Sequence, residues 1–248
     1  MKHGEYIRIA EDKTSAVVFI HGINGTPRHF DRIIPLVPES ISVYNLLLDG
    51  HGGNALDFAR TSMKKWKRQV ADRLADICGL HKNVAVVAHS MGTLFATEAL
   101  LLYPDRIRSA VFFAPPLKIL PKPIVAVNSA RIAFDLVNPD NKVLTAGKNA
   151  YGIATDRRFW RYVGWAPRYV ELLSHSKRIR KLTGNVTVPT TVLLSKKDEL
   201  VSVKTAEYFR GNESTRILFL SNSTHFYYSD VDFDIIKNEM SAVINKLI

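Results

Sequence analysis

Cysteine is nearly absent from this 248-residue chain, Cys78 being the only one. One thiol cannot close an internal disulfide, so a buried core has to hold the fold without a covalent framework. Cys78 lies in a helical pattern and reads as a buried apolar side chain rather than a reactive thiol. Long apolar runs are missing too: none approaches the about 20 residues that a membrane-spanning helix needs. The opening Met1-Lys2-His3-Gly4-Glu5 has no apolar leader-like stretch, and a soluble cytoplasmic protein is expected. No histidine pair has helical ligand spacing and no cysteine cluster exists, so neither a metal nor another cofactor is called for. Internal repeats, low-complexity tracts and flexible linkers are likewise absent.

Acidic residues are in short supply, with 23 Asp and Glu against 34 Lys and Arg, a formal charge of +11. The excess is local. Between positions 115 and 185 there are 13 Lys and Arg and 4 acids, which places +9 of the +11 there. No zinc-finger, RRM or basic-zipper signature accompanies it, so nucleic acid is not an expected partner. A solvated basic face is the simplest reading, and it allows weak association with an anionic lipid surface.

With 46% hydrophobic residues the chain has material for one sizeable core. Ser15-Ala16-Val17-Val18-Phe19-Ile20 is a continuous apolar run, as befits a strand covered on both faces. Similar runs predict strands over 43–48, 83–88, 107–114, 189–195 and 216–220, and the alternating 6–10 predicts an edge strand. Between them, three- and four-residue spacings predict helices over 28–36, 62–80, 92–102, 204–209 and 232–247. This alternation is that of a parallel sheet wrapped by helices. It lapses over 117–185, which holds several prolines, short amphipathic pieces around 124–137 and 166–182, and the aromatics Phe159, Trp160, Tyr162, Trp165 and Tyr169. That stretch reads as an insertion over the carboxyl ends of the strands, where open α/β sheets bind ligands.

The chemistry centres on Val86-Val87-Ala88-His89-Ser90-Met91-Gly92-Thr93-Leu94. An apolar strand passes through a tight turn into a helix, which holds a serine in a strained backbone conformation with its Oγ exposed. Small residues are needed two places before and after it, and Ala88 and Gly92 fill them. Ser90 is therefore the candidate nucleophile. A serine hydroxyl needs a base, and the base needs an acid to orient it. On this architecture the acid follows the serine and the base follows the acid. Asp198, directly after the 189–195 strand, is the candidate acid, with Glu199 as the alternative. His225, after the next strand, is the candidate base, with His175 as the alternative. His21 and His51 end strands and are expected to tie the loops around the site.

Together, His21-Gly22, Asp49-Gly50-His51-Gly52, Ala88-His89-Ser90-Met91-Gly92, Lys197-Asp198 and Thr224-His225 resemble the α/β-hydrolase superfamily, most closely its carboxylesterase and monoacylglycerol-lipase-like branch. Thr93 and Thr224 stand where glycine is frequent, which alters pocket shape rather than chemistry. The resemblance implies a mostly parallel central sheet flanked by helices, with a helical cap inserted after the sixth strand. Positions 1–114 and 186–248 would form the core and 115–185 the cap. It further implies an oxyanion hole made by the backbone N–H groups of Ile23 and Met91, supported by His21, Gly22, His89 and Gly92. Phe159, Trp160, Trp165 and Tyr169 would wall a substrate pocket. The implied activity is hydrolysis of small to medium acyl esters or monoacylglycerols through an acyl-enzyme. Thioester or carbon–carbon cleavage, acyl transfer to an alcohol, and ligand sensing without catalysis are the alternatives.

Overall fold

A computed structural model describes residues 3–133, 136–154, 156 and 158–248, with the side chains of Ala133 and Phe159 outside that description. Seven strands form one sheet in the order β1-β3-β2-β4-β5-β6-β7. They are β1 (Tyr6–Arg8), β2 (Ser15–Ile20), β3 (Ser42–Leu46), β4 (Asn83–His89), β5 (Ile107–Phe113), β6 (Thr190–Ser195) and β7 (Thr215–Leu220). All neighbours pair in parallel except β1, which runs antiparallel to β3. The helices are α1 (Ala55–Ala59), α2 (Met63–Leu80), α3 (Met91–Leu102), α4 (Ile124–Ala133), α5 (Lys142–Ala150), α6 (Ala166–Arg180) and α7 (Asp230–Ile244).

Every residue of β2 and β3 is buried, as befits strands covered on both faces; the one polar amide among them, Asn45, donates its Nδ2–H to Pro27 O at 2.9 Å. On one face of the sheet, Trp66 and Leu74 of α2, Leu94 of α3 and Ile179 of α6 pack against alternate strand residues such as Val18, Val86 and Phe112. On the other, Phe30 and the α7 residues Phe233, Ile236 and Met240 meet Val17, Val87 and Val111. Alternation along each strand thus sends neighbouring residues into two cores.

Three expectations change. The 28–36 stretch folds as two 3-10 turns, Pro27–Phe30 and Ile34–Leu36, because Pro35 has no N–H and its ring blocks a continuous α-helix. The 204–209 segment is likewise a 3-10 helix, Val203–Phe209. The helical segment between β5 and β6 leaves the sheet after the fifth strand rather than the sixth, because β1 is the one strand ahead of β2 among the described residues. Residues 134 and 135 of the predicted 124–137 piece lie outside the described residues. No helix among the described residues is long and apolar enough to cross a membrane.

Candidate active site

β4 ends at His89 and α3 begins at Met91, which leaves Ser90 alone at the turn. Its backbone is at φ 49, ψ −123, outside the regions where an L-residue rests. The turn is held from both sides: Ser90 N–H donates to Phe113 O at 2.8 Å, and Ser90 O accepts from Thr93 N at 2.9 Å and Thr93 Oγ1 at 2.7 Å. Among the described residues, the other non-glycine positions with positive φ are Asn24 and Ala114. All three follow parallel strands at their carboxyl ends, so backbone strain is concentrated at one end of the sheet.

Close approach explains two glycines. A Cβ on Gly92 would lie 2.3 Å from Ile20 O, so the start of α3 can touch the end of β2 only without a side chain. A Cβ on Gly22 would lie 2.8 Å from Ser90 Cβ and 3.1 Å from His89 Nδ1. The loop after β2 therefore lies directly against the serine. Met91 N–H, at the first position of α3, points out of the helix ladder, and neither it nor Ile23 N–H donates to another group among the described residues.

The candidate acid and base come from the loops after β6 and β7. Asp198 is 4% exposed; its Oδ1 accepts from Leu200 N at 2.7 Å and Val201 N at 2.8 Å, and its Oδ2 lies 2.8 Å from His225 Nδ1. The carboxylate has no proton to share, so Nδ1–H donates and Nε2 is left with its lone pair. Burial by itself pulls the His225 pKa down, but the charge and hydrogen bond of Asp198, with the charge of Glu199, raise it above the ordinary imidazole value. Glu199 does not compete for the ring; its Oε2 accepts from the His225 backbone N–H at 3.1 Å. His175 sits on α6 beside Phe95 and Glu98, about two turns along α3 from Ser90, where burial lowers its pKa to about 4. The base loop is braced in turn by buried Asp232 of α7, which accepts from Ser221 N, Asn222 N and Ser223 Oγ.

His89 joins the elbow to that loop. Its Nε2–H donates to His225 O at 3.0 Å, and its ring centroid is 4.7 Å from that of His225. His29, to which the sequence assigned no role, stacks on His89 at 3.9 Å, and its Nε2 is 2.9 Å from Tyr228 Oη. Burial depresses both imidazoles, His29 to about 3 and His89 well below the usual value, so they are uncharged partners of the His225 ring. His21 Nε2 accepts from Leu48 N at 3.1 Å, and burial brings its pKa to about 4. His21 thus ties the loop after β2 to that after β3, and His51 packs edge-on against it. Tyr228 and Glu199 announce themselves in sequence only by nearness to His225 and Asp198; His29 gives no such signal. Among the described residues no group of three or more His, Cys, Asp or Glu is placed to hold a metal.

The insertion is fastened around this end of the sheet. Leu120 N and Lys122 N donate to Leu200 O and Glu199 O at 2.9 and 2.8 Å, and Lys122 Nζ reaches Asp198 O at 2.6 Å. On the far side, Gly152 N donates to Asn24 O at 2.8 Å and Asn24 Nδ2 to Tyr169 Oη at 2.7 Å. The four aromatics expected to wall a pocket separate. Tyr169 stands at the Asn24 loop. Trp165 is buried, with its ring 4.7 Å from that of Phe58 and its Nε1–H on Ala55 O at 2.8 Å. Trp160 is 59% exposed, and the Phe159 side chain lies outside the described residues.

Residues 11–221 match the family described as serine aminopeptidase, S33. The chain belongs to this family of serine hydrolases with the α/β-hydrolase fold. Several solved structures share this fold at low identity. One, from work on the metagenome-derived lipolytic enzymes LipS and LipT, superposes with a TM-score of 0.74 at 18% identity, covering 99% of this chain and 98% of that one. The monoacylglycerol lipase of Paleococcus ferrophilus gives 0.69 at 14%, covering 99% and 100%. A structure from work on carboxylesterases of Nitrososphaera gargenis gives 0.63 at 15%, covering 97% and 95%. A curated relative, the homoserine O-succinyltransferase of Teredinibacter turnerae, is 37% identical over 84 residues. That match takes in 34% of this chain and only about a fifth of the transferase's length (21%).

Proposed function

We propose that this S33-family hydrolase cleaves carboxylic esters, with small to medium acyl esters or monoacylglycerols as its substrate class. The observation that carries the reading is the buried 2.8 Å contact of His225 Nδ1 with Asp198 Oδ2, with the His225 ring 4.7 Å from that of His89, the residue before Ser90. In this reading Ser90 Oγ attacks the ester carbonyl while His225 Nε2 takes its proton. The tetrahedral oxyanion accepts from Ile23 N–H and Met91 N–H, each worth about 3–4 kcal/mol in a water-excluded site. Collapse breaks the ester C–O bond, and the imidazolium returns the proton to the departing alkoxide. Water, deprotonated by His225, then releases the acid from Ser90. Asp198 keeps His225 in the tautomer that this needs.

The 115–185 segment is the cap in this scheme, with Tyr169 at the mouth of the site and the base-side loop tied to it through Lys122. The lipase and esterase names of the similar structures agree with an ester substrate. A fluorophosphonate probe mapped by mass spectrometry tests the chemistry without knowledge of the substrate. A label on Ser90 together with turnover of p-nitrophenyl esters is expected, and no label with no turnover on any chain length would sink it.

The partial match to an O-succinyltransferase favours one second reading, in which an alcohol replaces water as acyl acceptor. Adding a primary alcohol to the ester assay separates the two: a transferase forms the new ester in preference to the free acid.

A further inference from the structure

Segment 115–185 carries an unusual surface. Of the eighteen large hydrophobic side chains that stand exposed among the described residues, nine lie in this stretch. Helix α4 is Ile-Val-Ala-Val-Asn-Ser-Ala-Arg-Ile-Ala, with Arg131 its one charged residue, yet Ile124 and Val127 face solvent. A helix of that composition is ordinarily buried. On α6, Leu172, His175, Ser176 and Ile179 form the buried face. Ala166, Val170, Leu173 and Lys177 recur at helical spacing on the opposite side, and all are exposed. Val163, 70% exposed, and Trp160 extend this row ahead of the helix. The row therefore runs from apolar to cationic along its length, ending near Lys177, Arg178, Arg180 and Lys181.

We propose that this row seats the protein on an anionic lipid surface, with Trp160, Val163, Val170 and Leu173 entering the headgroup boundary and Lys177 and Lys181 at the level of the phosphates. Charge complementarity selects the partner, since the segment holds +9 of the chain's +11. The aliphatic row selects lipid over nucleic acid, because Val163, Val170 and Leu173 offer bases neither a donor nor a ring. An exposed apolar strip and basic flanks together make an interfacial anchor that neither makes alone. The inference takes from the ester-hydrolase reading only its purpose, the delivery of apolar esters from the lipid phase to a site whose cap touches the surface.

Sedimentation with phosphatidylcholine vesicles, with and without phosphatidylglycerol, tests it. Binding is expected to the anionic vesicles and to weaken with salt without vanishing. Val170→Ser with Leu173→Ser should weaken partitioning by about tenfold, Lys177→Glu with Lys181→Glu should remove the preference for phosphatidylglycerol, and both pairs should keep wild-type turnover of a water-soluble ester. Ser90→Ala protein should pellet like wild type, so loss of esterase activity and loss of docking are told apart. No pelleting, undiminished binding of the Val170/Leu173 variant, or equal retention on duplex DNA with the same salt dependence would each overturn the proposal.

Discussion

The elbow and the insertion obey opposite rules. Around Ser90 almost every group is buried and held by more than one partner: Asp198 by three contacts, His225 through ring, N–H and carbonyl, Gly92 by the absence of any room. In 115–185 one apolar helix lies open, and cations outnumber acids. The insertion is nevertheless not loose throughout. Glu98 of α3 pairs with Lys67 at 2.9 Å and with Arg178 of α6, and Trp165 plugs into the core beside Phe58. The difference teaches where each kind of work resides. Chemistry needs groups held within a fraction of an ångström and so sits where packing is complete. Recognition of a partner needs surface left unsatisfied.

The largest test of that contrast is Ser90→Ala. Turnover of p-nitrophenyl esters should fall by about 10⁴-fold or more, with thermal unfolding no earlier than wild type, because alanine makes the strained position no worse. Next, Gly92→Ala should destabilise by about 3 kcal/mol or more in urea unfolding, since its methyl group meets the Ile20 carbonyl, which cannot move without β2. An unchanged midpoint would mean that the elbow is less tightly closed than its geometry indicates.

Acidification should expose the buried imidazoles. His21, His29, His51 and His89 all have folded pKa values below 6.5, so the unfolded chain binds more protons as pH falls and stability drops with it. For His21, moving from 6.5 to about 4, the loss amounts to about 3 kcal/mol once pH is below 4. His225 acts in the opposite direction, its raised pKa contributing stability that is full below 6.5 and fades as pH rises through the folded value. Urea midpoints between pH 7 and pH 4 would show the net decline. On the proposed mechanism the same raised pKa places the acid limb of kcat/KM above about 6.5. Glu199→Gln should move it downward, because it removes a charge that supports the imidazolium while keeping an acceptor for the His225 N–H.

The smallest effect is expected on the insertion's open face. Val163→Ser should shift stability by less than about 0.5 kcal/mol, whereas Trp165→Ala, two positions on, should cost about 3–5 kcal/mol. Parallel thermal melts compare them directly, and equal effects would erase the distinction between the insertion's two sides.

Much of the site was legible before any coordinates. The apolar run into Ala88-His89-Ser90 and the helical pattern after Gly92 are local signals, and the turn between them depends on residues a few positions apart. Asp198 and His225 stood out as candidates because each follows an apolar strand at its carboxyl end. The sequence favoured Asp198 and kept Glu199 as the alternative; the fold directs Asp198 to the His225 ring and Glu199 to its backbone N–H.

By itself, then, the chain order of residues determined the strand–turn–helix at Ser90, the placing of Asp198 and His225 after later strands, and the concentration of positive charge in 115–185. These depend on periodicity, turn chemistry and composition, which short stretches carry within themselves. The tertiary structure alone decided that His29 stacks on His89 and that Trp165 belongs to the core while Val163 and Val170 do not. Burial and stacking are set by what lies opposite a side chain, and for each of these residues the neighbour comes from a distant part of the chain.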